Sequence, residues 1–151
     1  MNWGSTVGVI NEYFVAASDA EAAQALEDGP TAGVIGPEPN TELVALEAIL
    51  LGLDPDSAEA VDLVSRADHA VDVAADSTYD RMVIKIASAT TELIGTKTFD
   101  ELRTHVQRWA QTEEMAAYAV PDLHDLIAVL HPLFTVAAAQ DDCDVYVWTS
   151  L

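Results

Sequence analysis

The chain has 151 residues, half of them hydrophobic, and it carries 26 acidic against six basic residues, for a formal charge of −20. A surface this negative repels phosphate backbones and anionic headgroups, which excludes nucleic acid and membrane surfaces as natural partners and favours a basic protein. The length is that of one globular domain with an ample core, so we treat residues 1–151 as a single domain.

The acidic residues are concentrated at the two ends of the chain. Residues 1–65 hold 12 acids and no base, residues 66–108 hold seven acids and all six bases, and residues 109–151 hold seven acids and no base. Both ends therefore contribute acidic surface that the bases of the chain do not neutralise. The alternative interpretation is that the acidity only promotes solubility, or reflects genome base composition or adaptation to salt.

Three features of the sequence favour a cytoplasmic location. No uninterrupted apolar run approaches the roughly 20 residues of a membrane span. Residues 1–5 have no basic residue before the following apolar stretch and no cleavage site, so they do not resemble a secretory signal. The single cysteine, Cys143, excludes an intrachain disulfide, as is usual in a reducing compartment.

In the first half of the chain, β-branched and aromatic residues predict a strand over residues 6–17. Ser18 and Glu21 then form a capping box for a helix over residues 19–27, which a Gly-Pro pair ends. A loop rich in glycine and proline covers residues 29–40. A buried helix follows from residue 41 to residue 51, and Asp54 with Pro55 predicts the start of a more polar helix that runs to Arg66.

In the second half, residues 70–74 alternate like a short strand, and residues 77–94 carry an apolar stripe that predicts a long helix. Thr98 and Glu101 form a second capping box, which opens a clearly amphipathic helix. Pro121 begins the last helix, and residues 145–148 alternate as a closing strand. We therefore predict an α+β fold, a helix-rich single domain with a small sheet formed by the N- and C-terminal strands.

The histidines and the cysteine carry no recognisable catalytic pattern. His124 and His131 are seven residues apart, which separates them by about 10.5 Å along a helix, whereas a metal bonds imidazole nitrogen at about 2 Å. Asp141, Asp142 and Asp144 surround Cys143, and their charges should raise the pKa of its thiol and make it a poor nucleophile. We predict no catalytic residue, no metal site and no cofactor.

The candidate functional residues are Gln111, Glu113 and Glu114, which follow the amphipathic helix at a predicted helix boundary. Adjacent carboxylates can raise the pKa of one another and so serve acid–base chemistry or bind a cation. Adjacent helical residues point about 100° apart, so a shared site requires a turn or a distortion there. The alternative is a solvated turn, or a cap in which one glutamate accepts backbone N–H groups.

Five stretches of the chain are Tyr13-Phe14, residues 18–23, residues 46–52, residues 109–114 and residues 145–148. Together, and in this order from end to end, they resemble a group of small acidic actinobacterial proteins of unknown function. More remotely, the opening Tyr-Phe strand with its capped helix and the helix that ends at Gly52 are similar to the YfbM-like domain of unknown function, an α+β fold. The resemblance implies a fold and a compartment, and it implies no mechanism.

Two functions from different classes are open at this point. The first is a non-enzymatic cytosolic interaction protein whose acidic face binds a basic partner, for example an immunity protein or antitoxin that blocks a cationic toxin. The alternative is a small enzyme, or a ligand- or cation-binding domain, that uses Glu113 and Glu114 with one histidine around a cleft. The oligomeric state is open as well.

Overall fold

The N- and C-terminal strands of the computed structural model, which describes residues 9–151, lie side by side within one antiparallel sheet. Five strands in the order β2-β1-β5-β4-β3 form this sheet, and six helices accompany it among the described residues. The strands are β1 (Ile10–Ala16), β2 (Val34–Ile35), β3 (Val71–Ala75), β4 (Arg81–Lys85) and β5 (Asp144–Ser150). The helices are α1 (Asp19–Ala23), α2 (Glu42–Leu50), α3 (Ala58–Val64), α4 (Ser88–Gly95), α5 (Phe99–Ala110) and α6 (Val120–Ala139).

The predicted α+β fold, with its terminal strands in one sheet, is confirmed. β1 and β5 pair over their full lengths, from Ile10 opposite Ser150 to Ala16 opposite Asp144. Of the strand predicted over residues 6–17, residues 6–8 lie outside the described residues. The strands expected at residues 70–74 and 145–148 are also present, as β3 and β5.

Each face of the sheet buries its own apolar cluster. Tyr13 and Val147 point to the larger cluster, which the helices α2, α4, α5 and α6 complete. Phe14 and Tyr146 point to the smaller cluster, which α1 covers. Because successive strand residues point to opposite faces, adjacent positions of β1 and β5 serve the two clusters in turn.

Helix α6 is the longest element and the centre of the larger cluster. Its buried residues include Leu123, Leu126, Leu130 and Phe134. With 20 residues and a mean hydropathy of 1.2, it is long and apolar enough to cross a membrane by length and composition alone, a property that core helices share. The expectation that the chain has no membrane span therefore stays a prediction.

The long helix predicted over residues 77–94 is wrong. Residues 81–85 form the strand β4, and only residues 88–95 are helical. Val83 is buried in the smaller cluster and Ile84 in the larger one, so β4 is apolar on both faces and shows no alternation. A short run of this kind cannot be told from a buried helix by its periodicity.

The other helix predictions hold with changed bounds, but the capping box predicted for α1 is only half formed. The Ser18 hydroxyl accepts a hydrogen bond from the N–H of Glu21, whereas the Glu21 carboxylate accepts one from the N–H of Ala17 and not from that of Ser18. Helix α1 ends at Ala23, and the chain turns before Gly29 instead of continuing as a helix to residue 27. Helix α3 begins at Ala58 with Ser57 as its N-cap, whereas Asp54 accepts a hydrogen bond from the backbone N–H of Asp56 in the preceding turn. The α5 capping box is present as predicted.

A buried ion pair ties α2 to the end of α3 and to α4. Glu47, which is 2% exposed, accepts two hydrogen bonds of 2.9 Å from the guanidinium of Arg66. The hydroxyl of Thr90 donates a third, also of 2.9 Å. This glutamate therefore has a structural role, unlike the exposed carboxylates described below.

Candidate functional site

The residues predicted from the sequence as functional lie in an exposed turn between α5 and α6. Gln111 is the C-cap of α5, and it is exposed together with Glu113 and Glu114. The residues between and after them, Thr112 and Met115, are buried. The buried side chains of Thr112 and Met115 thus fix the turn to the protein, while its two glutamates are exposed to solvent.

Trp109 fixes this turn against the start of α2. Its ring is fully buried, and its Nε1–H donates a 3.0 Å hydrogen bond to the backbone carbonyl of Glu42. Residues 67 positions apart in the chain thereby become neighbours. The contact brings a carboxylate into the candidate site that the sequence analysis did not identify.

Glu42 is a partly buried carboxyl group near the candidate residues. One carboxylate oxygen accepts a 2.8 Å hydrogen bond from the backbone N–H of Glu38, and the other accepts a 3.2 Å bond from the hydroxyl of Tyr118. Partial burial raises the pKa of Glu42, and the charges of Glu38 and Glu114 raise it further, whereas these two hydrogen bonds lower it. The net effect is a raised pKa.

Glu38 holds its position through the start of α2. Its Oε2 accepts hydrogen bonds from the backbone N–H of Asn40 and from both the N–H and the hydroxyl of Thr41, at 2.7–2.9 Å. Thr41 itself makes no side-chain cap. Glu38 therefore supplies an acceptor for N–H groups at the start of the helix, and its charge is ordered in place.

We call Glu38, Glu42 and Glu114 the acidic cluster, because the charges of Glu38 and Glu114 both raise the pKa of Glu42. Glu113 lies beside it in the chain. No ion pair within residues 9–151 joins a Lys or Arg to any of these four carboxylates. Arg66, Arg81, Lys85, Arg103 and Arg108 pair with other acids, and the charge of Lys97 acts on Glu101. The acidic cluster therefore retains its negative charge.

The hydrogen bonds of His69 and His131 lead to groups other than Glu113 and Glu114. His131 is hydrogen-bonded through Nε2 to the carbonyl of Lys97, and His69 through Nε2 to the side-chain oxygen of Asn40. Nδ1 of His124 is buried without a hydrogen-bond partner. In the part of the chain that the structure describes, no group of three or more His, Cys, Asp or Glu side chains is arranged to hold a metal ion.

The environment of Cys143 agrees with the sequence prediction. Desolvation raises the pKa of its thiol, and the negative charges of Asp142, Glu21 and Asp144 raise it further. The thiol is 3.2 Å from the side-chain oxygen of Gln140. A raised pKa leaves little thiolate at neutral pH, which is the direction that the sequence predicted; the poor nucleophilicity of Cys143 stays a prediction.

Sequence reasoning found Glu114 but missed Glu38 and Glu42. The one signal for Glu42 in the sequence was a charged residue in an otherwise apolar helix. Glu47, which has a structural role, gives the same signal, so the pattern alone could not single out Glu42. Comparison with protein-family models, curated proteins and solved structures finds no match for this chain. The resemblance to the actinobacterial group and to the YfbM-like domain therefore stays a prediction.

Proposed function

We propose that this protein is a non-enzymatic, cytoplasmic interaction protein whose acidic surface, centred on the acidic cluster and Glu113, binds a basic partner protein. The observation that carries the proposal is this set of carboxylates, none of which forms an ion pair with a Lys or Arg of the described chain. Hydrogen bonds hold two of them, Glu38 and Glu42, in place. Such a surface attracts a cationic partner over long distances and accelerates association.

The environment of Glu42 supports this role. Its raised pKa reflects a carboxylate that is partly buried and surrounded by like charges. A Lys or Arg side chain from a partner would relieve that repulsion and lower the pKa of Glu42. Binding should therefore release protons near the pKa of this group, and the buried Trp109 and the hydroxyl of Tyr118 keep the carboxylate in position for it.

The kind of partner that fits is a cationic protein, such as a toxin or nuclease that this protein would block in the manner of an immunity protein or antitoxin. Proteins that act on nucleic acid carry positive surfaces, and an acidic protein competes for such surfaces. Under this proposal, nucleic acid and membranes are not partners.

An affinity capture from the native lysate tests the proposal. The protein serves as bait, and the captured proteins are eluted by rising salt and identified by mass spectrometry. We expect one basic protein that binds at low salt and is released at high salt, because screening weakens exposed charge pairs. The double variant E113Q/E114Q should capture less of it.

The chain offers a matched control for this experiment. Asp141 and Asp142 form a second exposed pair of adjacent acids, just after the C-terminus of α6, whereas Glu113 and Glu114 precede its N-terminus. A 20-residue helix is about 30 Å long, so the two pairs lie at opposite ends of it. The variant D141N/D142N removes the same charge and should capture the partner like the wild type. Equal losses in both variants would contradict a localised binding surface.

A second candidate function is a small ligand- or cation-binding domain, or an enzyme, that uses Glu113 and Glu114. The observation that favours it is the raised pKa of Glu42 beside Glu114, because a general acid needs such a value. Thermal-shift measurements with divalent metals and metabolites test it. A stabilising compound whose effect is lost in E113Q/E114Q and kept in D141N/D142N would favour this candidate over the first.

A further inference from the structure

The outer edge of β1 is only partly covered. Strand β2 is two residues long and pairs with Glu12 and Tyr13. The same register would place residue 32 opposite Val15, but the paired strand does not extend that far. Within residues 9–151, the last three residues of β1 therefore have a strand neighbour on the β5 side and none on the other.

The backbone of Val15 points toward this open edge. The N–H of Gly36 donates a 2.9 Å hydrogen bond to the carbonyl of Asn11, so the backbone groups of Asn11 face the β2 side. Residues two apart in a strand face the same way, which orients Tyr13 and Val15 alike. The N–H and C=O of Val15 are thus directed away from β5.

The pairing of β5 with β4 and β1 independently gives the same orientation for the backbone of Val15. The N–H of Ile86 donates to the carbonyl of Val145, so Val145 faces the β4 side and the next residue, Tyr146, faces β1. Tyr146 lies opposite Phe14. Phe14 therefore faces β5, and Val15 faces the open edge.

A groove of about 540 Å³ runs along this edge. Its volume is within the range of about 300–1,000 Å³ that is usual for ligand sites. We call it the β1-edge groove. Its walls are Phe14, Val15 and Ala16 of β1, Glu21, Gln24 and Ala25 of α1 and its extension, the turn of residues 29–32, and Leu133 of α6.

The wall of the groove opposite β1 is held in place. Trp148 donates a 2.8 Å hydrogen bond from Nε1 to the carbonyl of Leu26, and Arg81 donates a 2.9 Å bond to the carbonyl of Glu27. Gly29 has a φ of +82°, and a Cβ there would lie 3.2 Å from the Trp148 ring, so the turn packs closely on it. A groove with fixed walls binds without the entropic cost of ordering them.

The two sides of the groove differ in chemistry. Val15 and Leu133 belong to the apolar side, where both pack against the larger core cluster. Glu21 and Gln24 form the polar side. Among the described residues that line the groove, Glu21 carries a carboxylate and none is Lys or Arg. An extended chain in the groove would present alternate side chains to these two sides.

We propose that the β1-edge groove binds an extended segment of another protein, which adds to the sheet as a strand antiparallel to β1. Its apolar residues contact Val15 and Leu133, and the Lys or Arg residues that alternate with them pair with Glu21. Main-chain hydrogen bonds to Val15 supply affinity, and the side chains supply specificity. The inference goes beyond the proposed function, since it concerns a separate surface and does not require the acidic cluster.

A synthetic peptide of alternating valine and lysine, six residues long with blocked ends, is the probe. In an antiparallel pair, the residues that exchange hydrogen bonds with Val15 carry their side chains on its own face, which is the valine face. N-methylation of the valines should therefore weaken binding by at least about tenfold, whereas N-methylation of the lysines should leave it nearly unchanged. Unchanged affinity after N-methylation of the valines would overturn the proposal.

Fluorescence anisotropy of the labelled peptide against the full chain tests the groove itself. Glu21→Gln should raise Kd about threefold, while Glu27→Gln, the same charge change outside the lining, should not. Ala32→Trp fills the groove and should raise Kd at least about tenfold. Failure of the wild type to bind, or equal losses in the Glu21 and Glu27 variants, would overturn the proposal.

Two further measurements keep the result specific. Hydrogen exchange of the Val15 amide should slow when the peptide binds. Circular dichroism shows whether Ala32→Trp remains folded. If Ala32→Trp unfolds, the N-methylated peptides and Glu21→Gln still test the groove. The acidic-cluster variant E113Q/E114Q should bind the peptide like the wild type. Failure of this proposal is thus separable from failure of the proposed function.

Discussion

Replacement of Arg66 by methionine should remove a large part of the folding free energy. In the wild type, the guanidinium donates two 2.9 Å hydrogen bonds to Glu47, and its Nε–H donates a third, of 2.8 Å, to the carbonyl of Leu63. The variant leaves the Glu47 side chain, which is 3% exposed, with the hydroxyl of Thr90 as its remaining hydrogen-bond partner. A buried carboxylate without its counter-ion is strongly destabilising.

The size of the loss follows from the burial of the pair. Removing one partner of a buried ion pair costs about 3–5 kcal/mol. The side chain of Arg66 is 24% exposed, so water reaches the guanidinium and the loss should lie near the lower end, at about 3 kcal/mol. Since a domain of this kind is stable by about 5–15 kcal/mol, such a loss should be easy to detect.

Two further variants separate this mechanism from a general loss of charge. The double variant E47M/R66M removes both charges, and an apolar pair of similar volume is often as stable as the buried ion pair, so it should regain most of the loss. Arg108→Met removes a guanidinium that is 47% exposed and lies 3.8 Å from Asp54. It should cost less than about 1 kcal/mol.

Urea unfolding followed by circular dichroism measures all four proteins. The midpoint should fall in Arg66→Met with an unchanged slope, which identifies a change in stability rather than in the exposed surface. A loss below about 1 kcal/mol in Arg66→Met would refute the reasoning. So would a double variant no more stable than the single one, because the cost would then not come from an unpaired Glu47.

The remaining predictions concern the acidic cluster and helix packing. Glu114→Gln should lower the pKa of Glu42, because the charge of Glu114 raises it. The carboxyl carbon shift of Glu42 in an NMR pH titration measures this pKa. Glu113→Gln is the control and should lower the pKa less. A raised folded-state pKa gives stability at low pH that is lost as the pH rises from the unfolded to the folded pKa, so in Glu114→Gln this loss should be smaller and should end at a lower pH. Equal titration curves would contradict the cluster. Gly95→Ala should reduce stability by about 1–3 kcal/mol, because its Cβ would collide with the carbonyl of Phe134, and an unchanged Tm would contradict this packing.

The sequence predicted those parts of the fold that local signals specify. The α5 capping box depends on residues three apart, and it is present as expected. The terminal strands have β-branched and aromatic residues in alternation, and they pair with each other. The strand β4 was misread, because Val83 and Ile84 are buried on opposite faces and produce an apolar run without alternation.

The candidate site was only partly predictable, because long-range contacts assemble it. Glu114 stood out through the adjacent acid in the sequence. Its neighbour Glu42 is brought close by the bond from Trp109, across 67 residues, and by the hydroxyl of Tyr118, across 76 residues. No local pattern encodes such a contact, and the β1-edge groove likewise depends on where β2 ends.

The association rate of the captured basic protein, measured over a range of salt concentrations, tests the central claim most directly. The wild type should associate fast at low salt and more slowly as the salt rises. The variant E113Q/E114Q should associate about threefold to tenfold more slowly at low salt, while D141N/D142N should stay close to the wild type. A rate that is independent of salt, or equal effects of the two double variants, would contradict the claim that the acidic cluster is the binding surface.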